Sequence, residues 1–386
     1  MAEALVDRFG PEVAVQIGEM IRTADPLFDV EAFTAAALTG YAELGLTDRA
    51  QAICDALVPA LPAQPCAAIE LISASLPPRG VAQRWQGMDS FVLMPFGMYI
   101  AEYGLDCFEA SMAAQYEITR RFTSEFSIRA FIEHRYEPTM ARLRHWVHDP
   151  DEHVRRLVSE GTRPRLPWAG QLQAFRDDPE PVLELLEVLK DDPSDYVRRS
   201  VANNLNDIAK DHPERVVDLC RRWWPEGSPE RRRLVRHGLR TLVKAGDPGA
   251  LAVLGYKEDD AIAVASLSVE PQYAVIGSTI RIRAEIGNTE GGERAALVDL
   301  RLEFARPRGR TSAKVFKGRE LHLGPGESAL VVKKVSLAQH STRRHYPGEH
   351  RVAVLVNGRE TASLTFEVGA EDAVMAAASL PGEDDG

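Results

Sequence analysis

An α-solenoid of HEAT-like repeats followed by an immunoglobulin-like β-sandwich, a multidomain α + β architecture, is the fold class this chain predicts. Three observations carry that prediction. First, Asp149-Pro150-Asp151-Glu152-His153-Val154-Arg155-Arg156-Leu157-Val158-Ser159-Glu160 returns 43 residues later as Asp192-Pro193-Ser194-Asp195-Tyr196-Val197-Arg198-Arg199-Ser200-Val201-Ala202-Asn203. A looser copy, Arg231-Arg232-Arg233-Leu234-Val235-Arg236-His237, follows 34 residues further on. Repeats of this period stack as helix pairs, each burying its apolar face only against its neighbours. Second, near Asp260 the helical period gives way to short alternating runs, the pattern of half-buried strands. Third, turn chemistry separates those runs, including Gly287-Asn288, Gly324-Pro325-Gly326 and the hairpin signal Asn357-Gly358.

In chain order, Phe28, Val30, Phe33 and Ala37 recur at helical spacing, and Asp29 is placed to cap that helix. Pro59, Pro62, Pro65, Pro77 and Pro78 punctuate short helices. The apolar stretch from Gly87 to Tyr99 is expected inside the N-terminal helices. Two long helices are predicted over 106–122 and 125–147, with Ser124 as N-cap and Glu125 in the first turn. A carboxylate there favours the helix dipole, which is one sufficient reason for Glu125. Strands are predicted at Ala263–Ser268, Thr279–Glu285, Val298–Phe304, Ala329–Val335, His350–Val356 and Ala362–Val368, within a sandwich of seven or so. Tyr346 before the His350 strand suits a tyrosine corner. The expected domains are 1–258 helical, 259–369 sandwich and 370–386 a disordered acidic tail.

Composition bounds the function. No run of 18 apolar residues exists, and Met1-Ala2-Glu3 lacks a basic leader, so neither a membrane span nor a signal peptide is expected. Cys54, Cys66, Cys107 and Cys220 are scattered without a CxxC pair, which reads as reduced cytoplasmic thiols, with no metal site and no cofactor. The net charge of −11 argues against a polyanionic partner until it is mapped. Residues 1–128 carry 7 basic against 17 acidic side chains, whereas residues 129–244 carry 22 against 20. The repeats are thus locally basic within an acidic protein, and phosphate contact depends on the local face. A second basic cluster, Arg306, Arg308, Arg310, Lys314, Lys317 and Arg319, forms a loop or sheet edge fit for phosphate or for blocking edge aggregation.

The repeats allow positions to be compared. Val154, Leu157, Val158 and Gly161 make the buried stripe of the first copy; Val197, Ser200, Val201, Asn204, Leu205 and Ile208 make that of the second. Outside the stripe, Arg156, Glu160 and Arg163 lie together, as do Arg199, Asn203 and Asp207, then Arg233 and His237 with Arg236 beside them. Stacking would align Arg156, Arg199 and Arg233 in one row and Glu160, Asn203 and His237 in the next. An arginine row suits a phosphate backbone, although an i,i+4 Arg–Glu pair worth about 0.3–0.5 kcal/mol also explains Arg156 with Glu160. Trp168, beside Arg163 and Arg165 in a proline-bounded loop, is either a stacking surface for a nucleotide or an anchor under the loop.

With these residues in view, the chain resembles the AlkC-type DNA alkylation repair glycosylases. The likeness rests on Phe28-Asp29-Val30-Glu31-Ala32-Phe33, on Ser124-Glu125-Phe126-Ser127-Ile128-Arg129, on Val154 to Gly161 leading into Arg163-Pro164-Arg165-Leu166-Pro167-Trp168, and on Val197 to Asp207. It covers nearly the whole chain, because some family members also carry a C-terminal Ig-like domain. The resemblance implies a monofunctional, monomeric bacterial glycosylase that removes 3-methyladenine and 3-methylcytosine from double-stranded DNA without drawing the base into a deep pocket. It implies catalytic carboxylates at Glu125, Glu160 and Asp207 and an aromatic contact at Trp168. Phosphate or base contacts then fall to Arg156, Arg163, Arg165, Arg199, Asn203, Arg233, Arg236 and His237.

The chemistry is consistent with that assignment. A 3-methylated purine is already cationic and leaves without a strong general acid, through a transition state with oxocarbenium character at C1′. A carboxylate about 4 Å away at an effective dielectric near 20 contributes on the order of 4 kcal/mol, roughly a thousandfold in rate. Two rival readings are a non-catalytic HEAT scaffold for a protein partner and a DNA-binding protein with a degenerate site. Chromatography of bases released from methylated DNA separates all three.

Overall fold

The computed structural model describes residue 6 and residues 9–79, 89–256, 261–339 and 344–370. The start of the apolar stretch at Gly87 and nearly all of the acidic tail lie outside them. Packing divides the chain into two compact units, one of residues 1–216 and 227–238 and one of 217–226 and 239–386. The second unit thus takes in residues 217–226 and two short helices after residue 238 together with the sandwich.

In the first unit, helices α1 (Glu12–Ala24), α2 (Val30–Ala37), α3 (Leu46–Ala60) and α4 (Pro65–Ser75) come first, then α5 (Met94–Tyr103) and α6 (Phe108–Thr119). Asp29 caps α2 as its sequence predicts, accepting the Ala32 amide at 3.0 Å. Of the Gly87–Tyr99 stretch, Leu93, Phe96 and Tyr99 are buried. Cys66 and Cys107 are joined as a disulfide, which corrects the reading of four reduced thiols. Their sequence separation of 41 hid the pairing, which exists because α4 and α6 pack together with these residues at their N-terminal ends. Cys54 and Cys220 are free and buried.

The helix predicted over 125–147 is two helices, α7 (Ser127–His134) and α8 (Tyr136–Trp146). Arg135 between them leaves helical geometry at φ −136° and ψ 49°. Pro138 supplies the reason: it has no amide for the His134 carbonyl and its ring crowds that carbonyl. Ser124 is not an N-cap either. Its buried hydroxyl donates to the Gln115 carbonyl at 2.9 Å, and Glu125 stands on the turn that precedes α7.

The repeats form α9 (Glu152–Gly161) and α12 (Asp195–Ile208), with α10 (Gln173–Asp177) and α11 (Glu180–Leu189) between them. The third copy lies on α14 (Pro229–Gly238), after α13 (Pro213–Trp223). Both predicted stripes are buried in full. The first arginine of each Val-Arg-Arg turns back on its own Asp-Pro, Arg155 to the Asp149 carbonyl and Arg198 to that of Asp192. Arg155 also grips the Asp192 carboxylate through two bonds of 2.6 and 2.9 Å, so the start of one repeat is fastened to its predecessor. Among the described residues, no single helix is long and apolar enough to cross a membrane.

The second unit holds α15 (Arg240–Ala245), α16 (Pro248–Val253) and eight strands. These are β1 (Ile262–Glu270), β2 (Tyr273–Val275), β3 (Thr279–Asn288), β4 (Arg294–Arg306), β5 (Arg310–Leu323), β6 (Ser328–Ser336), β7 (Gly348–Val356) and β8 (Arg359–Gly369). They form sheets of order β1-β3-β6 and β2-β8-β7-β4-β5. Ile280, Ile282 and Ile286 of one sheet share a core with Leu300, Leu302, Val352 and Val354 of the other, as a sandwich requires. Asn357 and Gly358 turn β7 into β8 with φ of 49° and 82°. The basic cluster is an edge: β5 pairs with β4 alone and carries Arg310, Lys314, Lys317 and Arg319. Tyr346 lies under the Arg306 guanidinium, 5.8 Å from ring centre to Cζ.

The Arg155–Asp192 clasp gives the first test. Asp192→Ala strands a largely buried guanidinium and is expected to cost about 3–5 kcal/mol in urea unfolding. A loss below about 1 kcal/mol, the range of exposed pairs, would show that the clasp does not couple the repeats.

Candidate functional site

The functional chemistry of the repeats gathers where α9, α12 and the turn before α7 meet. Glu160 ends the outer face of α9 and Asp207 ends that of α12. Between them stands Arg163. It donates to Glu160 Oε1 at 2.5 Å and, through Nε and Nη2, to Asp207 Oδ2 at 2.7 Å. Arg156 extends the line in the other direction. It pairs with Glu125 and reaches Glu160 Oε1 at 3.6 Å, with its Cζ 5.2 Å from the centre of the Tyr196 ring. Lys210 closes the far end, its Nζ 2.9 Å from Asp207 Oδ1. The order Glu125, Arg156, Glu160, Arg163, Asp207, Lys210 alternates in sign, and its formal charges cancel.

This line is largely internal. Glu160 is 5% exposed and Asp207 2%. Burial alone would lower the Arg163 guanidinium pKa, but Glu160 and Asp207 outweigh it and raise it above the ordinary value. Arg156 is raised in the same way, by Glu125 and Glu160 against desolvation. The arginines consequently stay charged, and the carboxylates are held by fixed donors.

Side chains that the stripe pattern counted only as buried supply the support. Ser200 donates to Glu160 Oε2 at 2.6 Å. Asn204 donates to the Ser159 carbonyl at 2.7 Å and lies 3.2 Å from Thr162 Oγ1. Thr123 donates to Glu125 Oε2 at 2.9 Å and accepts from Arg156 at 3.1 Å. One signal was present in the sequence: the second copy has Ser200 and Asn204 where the first has Leu157 and Gly161. Polar groups on a buried stripe need partners, and these find them on α9. Gly161 is itself required, since a Cβ there would lie 2.5 Å from Ile128 Cγ2 of α7.

Arg129 does comparable work for the loop after α9. Its buried guanidinium donates to the carbonyls of Gly161 at 3.2 Å, Arg163 at 2.7 Å and Gly170. Burial pushes this group down to about 10, with the nearby Arg163 opposing the pull of Glu133, Glu125 and Asp207. Within that loop Trp168 is 79% exposed, which removes the alternative of an anchor beneath it. Its backbone is left-handed, with φ 66°, a strained setting for a bulky residue that the loop imposes. Arg165 and Arg176 both grip Asp211, at 2.6 and 3.0 Å, and fasten the loop to the end of α12.

The predicted arginine row does not form one surface. Arg156 turns inward to Glu125, and Arg163 is a bridge between carboxylates rather than an exposed phosphate contact. Arg199 is 65% exposed and pairs with Asp195, and exposed Arg233 pairs with Glu230. Asn203 and His237 do stack as neighbours, at 3.0 Å, and Arg236 is exposed near them in the chain. The inward turn of Arg156 follows from Glu125, a residue outside the repeats to which no repeat comparison could point. Elsewhere, ligand atoms of Cys54, Asp55 and Glu102 come within 4.8 Å of one another. Gln51 bonds both carboxylates, at 2.8 and 3.4 Å, and burial pushes the Cys54 thiol up to about 12.

A helical-repeat unit bearing a buried carboxylate cluster and, in the loop that follows Glu160, an exposed tryptophan, in one chain with an immunoglobulin-like sandwich, defines a narrow class of protein. Residues 263–370 match the family model described as the C-terminal Ig-like domain of the uncharacterised protein YhaZ. The chain is 34% identical to the uncharacterised protein YhaZ of Bacillus subtilis over 94% of its own length and 99% of that protein. Its structure is similar to that of Pseudomonas fluorescens AlkC, an alkylpurine DNA glycosylase bound to DNA containing an abasic site analogue. The identity is 36%, the TM-score 0.86, and the match covers 95% of this chain and 100% of the other. The chain belongs to the AlkC family of helical-repeat proteins with a C-terminal Ig-like domain.

Two measurements test how the site is assembled. Gly161→Ala adds a good helix former, which alone would favour the fold by about 1 kcal/mol. The clash with Ile128 is expected to reverse that sign and cost about 1–3 kcal/mol in urea unfolding, so a stabilised variant would refute the close α7–α9 contact. Asp211 offers a test in pH. The hydrogen bonds from Arg165, joined by Arg176 and opposed by burial, hold its carboxyl far below the usual range. A folded pKa below the unfolded value of about 3.9 stabilises at neutral pH, and that stabilisation is lost as pH falls. The stability gap between the wild type and Asp211→Asn should accordingly shrink from pH 5 toward pH 2; a gap that does not change with pH would contradict the pairing.

Proposed function

We propose that this protein is a monofunctional DNA glycosylase that hydrolyses the N-glycosidic bond of alkylated bases, with 3-methyladenine and 3-methylcytosine as its lesions. The observation that carries the reading is the convergence of Glu160 and Asp207 on one guanidinium, with an exposed tryptophan in the loop that this arginine opens, in a chain that matches AlkC along almost its whole length.

In the proposed reaction Asp207 orients a water, accepts its proton as the oxygen bonds to C1′, and the glycosidic electron pair departs with the base. Glu160 and Glu125 stabilise the cationic sugar and the modified base. Selectivity then comes from charge, because an unmodified base is neutral and leaves as an anion. The ion pairs revise the magnitude. Each carboxylate already faces a guanidinium, so its pull on a new cation falls below the roughly 4 kcal/mol of an unpaired group. The pairing has a compensating virtue: the carboxylates are held fixed by their donors, and little reorganisation is needed when positive charge develops. Trp168 is proposed to stack on a sugar or base, and Arg199, Arg233, Arg236 and His237 to face the backbone.

Release of 3-methyladenine from duplex DNA in single turnover tests the assignment. Asp207→Asn and Glu160→Gln are each expected to slow release by about 10²-fold or more, the range for removing one electrostatic stabiliser. Trp168→Ala should act mainly on the concentration of protein needed. Full activity in both carboxylate variants would end the proposal.

A further inference from the structure

The line of six charges has one member unlike the others. Glu160, Arg163 and Asp207 are buried, and Glu125 and Arg156 are mostly covered, whereas the Lys210 side chain is 42% exposed. It follows the last turn of α12 and reaches back three residues to Asp207 Oδ1. An i,i+3 pair at a helix C-terminus is commonplace; the acid in this one is not, being 2% exposed and already gripped by Arg163 on its other oxygen. The Lys210 side chain stands partly in solvent with one partner to give up, so it can leave where the buried Arg163, tied to two carboxylates, cannot.

We propose that Lys210 is a positioning residue for the reaction, a counter-ion exchanged on substrate binding. It neutralises Asp207 in the free protein and moves to a backbone phosphate of the bound duplex. The proposal rests on the reading of Asp207 as a catalytic carboxylate. Its logic is one of charge. With Lys210 in place three acids face three cations, and the site does not repel a polyanion as it approaches. Once a phosphate takes Lys210, the same groups carry a net single negative charge. Asp207 keeps its Arg163 bonds, and the Oδ1 atom is opened to the attacking water. The charge that recognises a cationic lesion thereby arises only in the complex.

The test uses the full chain and Lys210→Met, with Lys210→Arg as the charge-preserving control. Binding of an undamaged duplex is followed by fluorescence anisotropy over a series of KCl concentrations. Loss of one phosphate contact should make the slope of log K against log salt shallower by about one, and Lys210→Arg should restore it. In single turnover on methylated duplex, the defect of Lys210→Met should fall on the half-saturating protein concentration rather than on the saturated rate. A salt slope equal to that of the wild type would overturn the exchange. So would a saturated rate reduced as far as that of Asp207→Asn, because Lys210 would then be a fixed part of the catalytic cluster. A wild-type protein that releases no base would defeat the glycosylase reading instead, while the slope on undamaged DNA would still report on Lys210.

Discussion

The bridge from Arg163 to Glu160 and Asp207 is the interaction on which the rest of the site depends. Two carboxylates this deeply buried would repel one another and lose their charge if nothing stood between them. One planar guanidinium with donors in fixed directions answers both, which a lysine at that position could not do. Because Glu160 belongs to one repeat helix and Asp207 to the next, the bridge also ties active chemistry to the stacking of repeats. The same residue opens the loop that ends at Trp168, so helix packing, acid placement and loop position share one support.

Around that bridge the support comes in two kinds. Arg155 with Asp192, and Ser200 and Asn204 with α9, fix how α9 and α12 sit against each other. Arg129 and the Arg165–Asp211–Arg176 pairs fix the loop, through carbonyls and a carboxylate. The site is thus built on rigid elements, with polar networks in which each described oxygen of Glu160 and Asp207 has a donor. That arrangement agrees with an enzyme whose substrate already carries charge. Such a substrate asks little of proton transfer and much of electrostatic preorganisation.

Ion pairing also reshapes what binding must do. A polyanion meets a neutral cluster, and Arg199 and Arg233, paired only with exposed Asp195 and Glu230, can be redirected at little cost. In the proposed reading, specific recognition is left to a tryptophan held out in solvent and to acids held within. Among the described residues of the acidic N-terminal third, Glu125 and its Thr123 partner are the ones that join this cluster.

The sequence by itself determined the class of fold and the buried stripes of both repeats, for a physical reason. Helix and strand periods are local, so Val154 with Leu157 and Val158, or Asn357 with Gly358, announce their roles within a few residues. The family likeness extended that legibility to Glu125, which no repeat comparison reaches. Only the tertiary structure decided where the long polar side chains go. Arg156 and Arg199 occupy equivalent repeat positions, yet one turns inward because Glu125 arrives beside it from the turn before α7, and the other stays exposed. The Cys66–Cys107 pairing and the carbonyl clamp of Arg129 are alike in this respect. Each is set by a partner brought close by packing, which helical period and residue type do not encode.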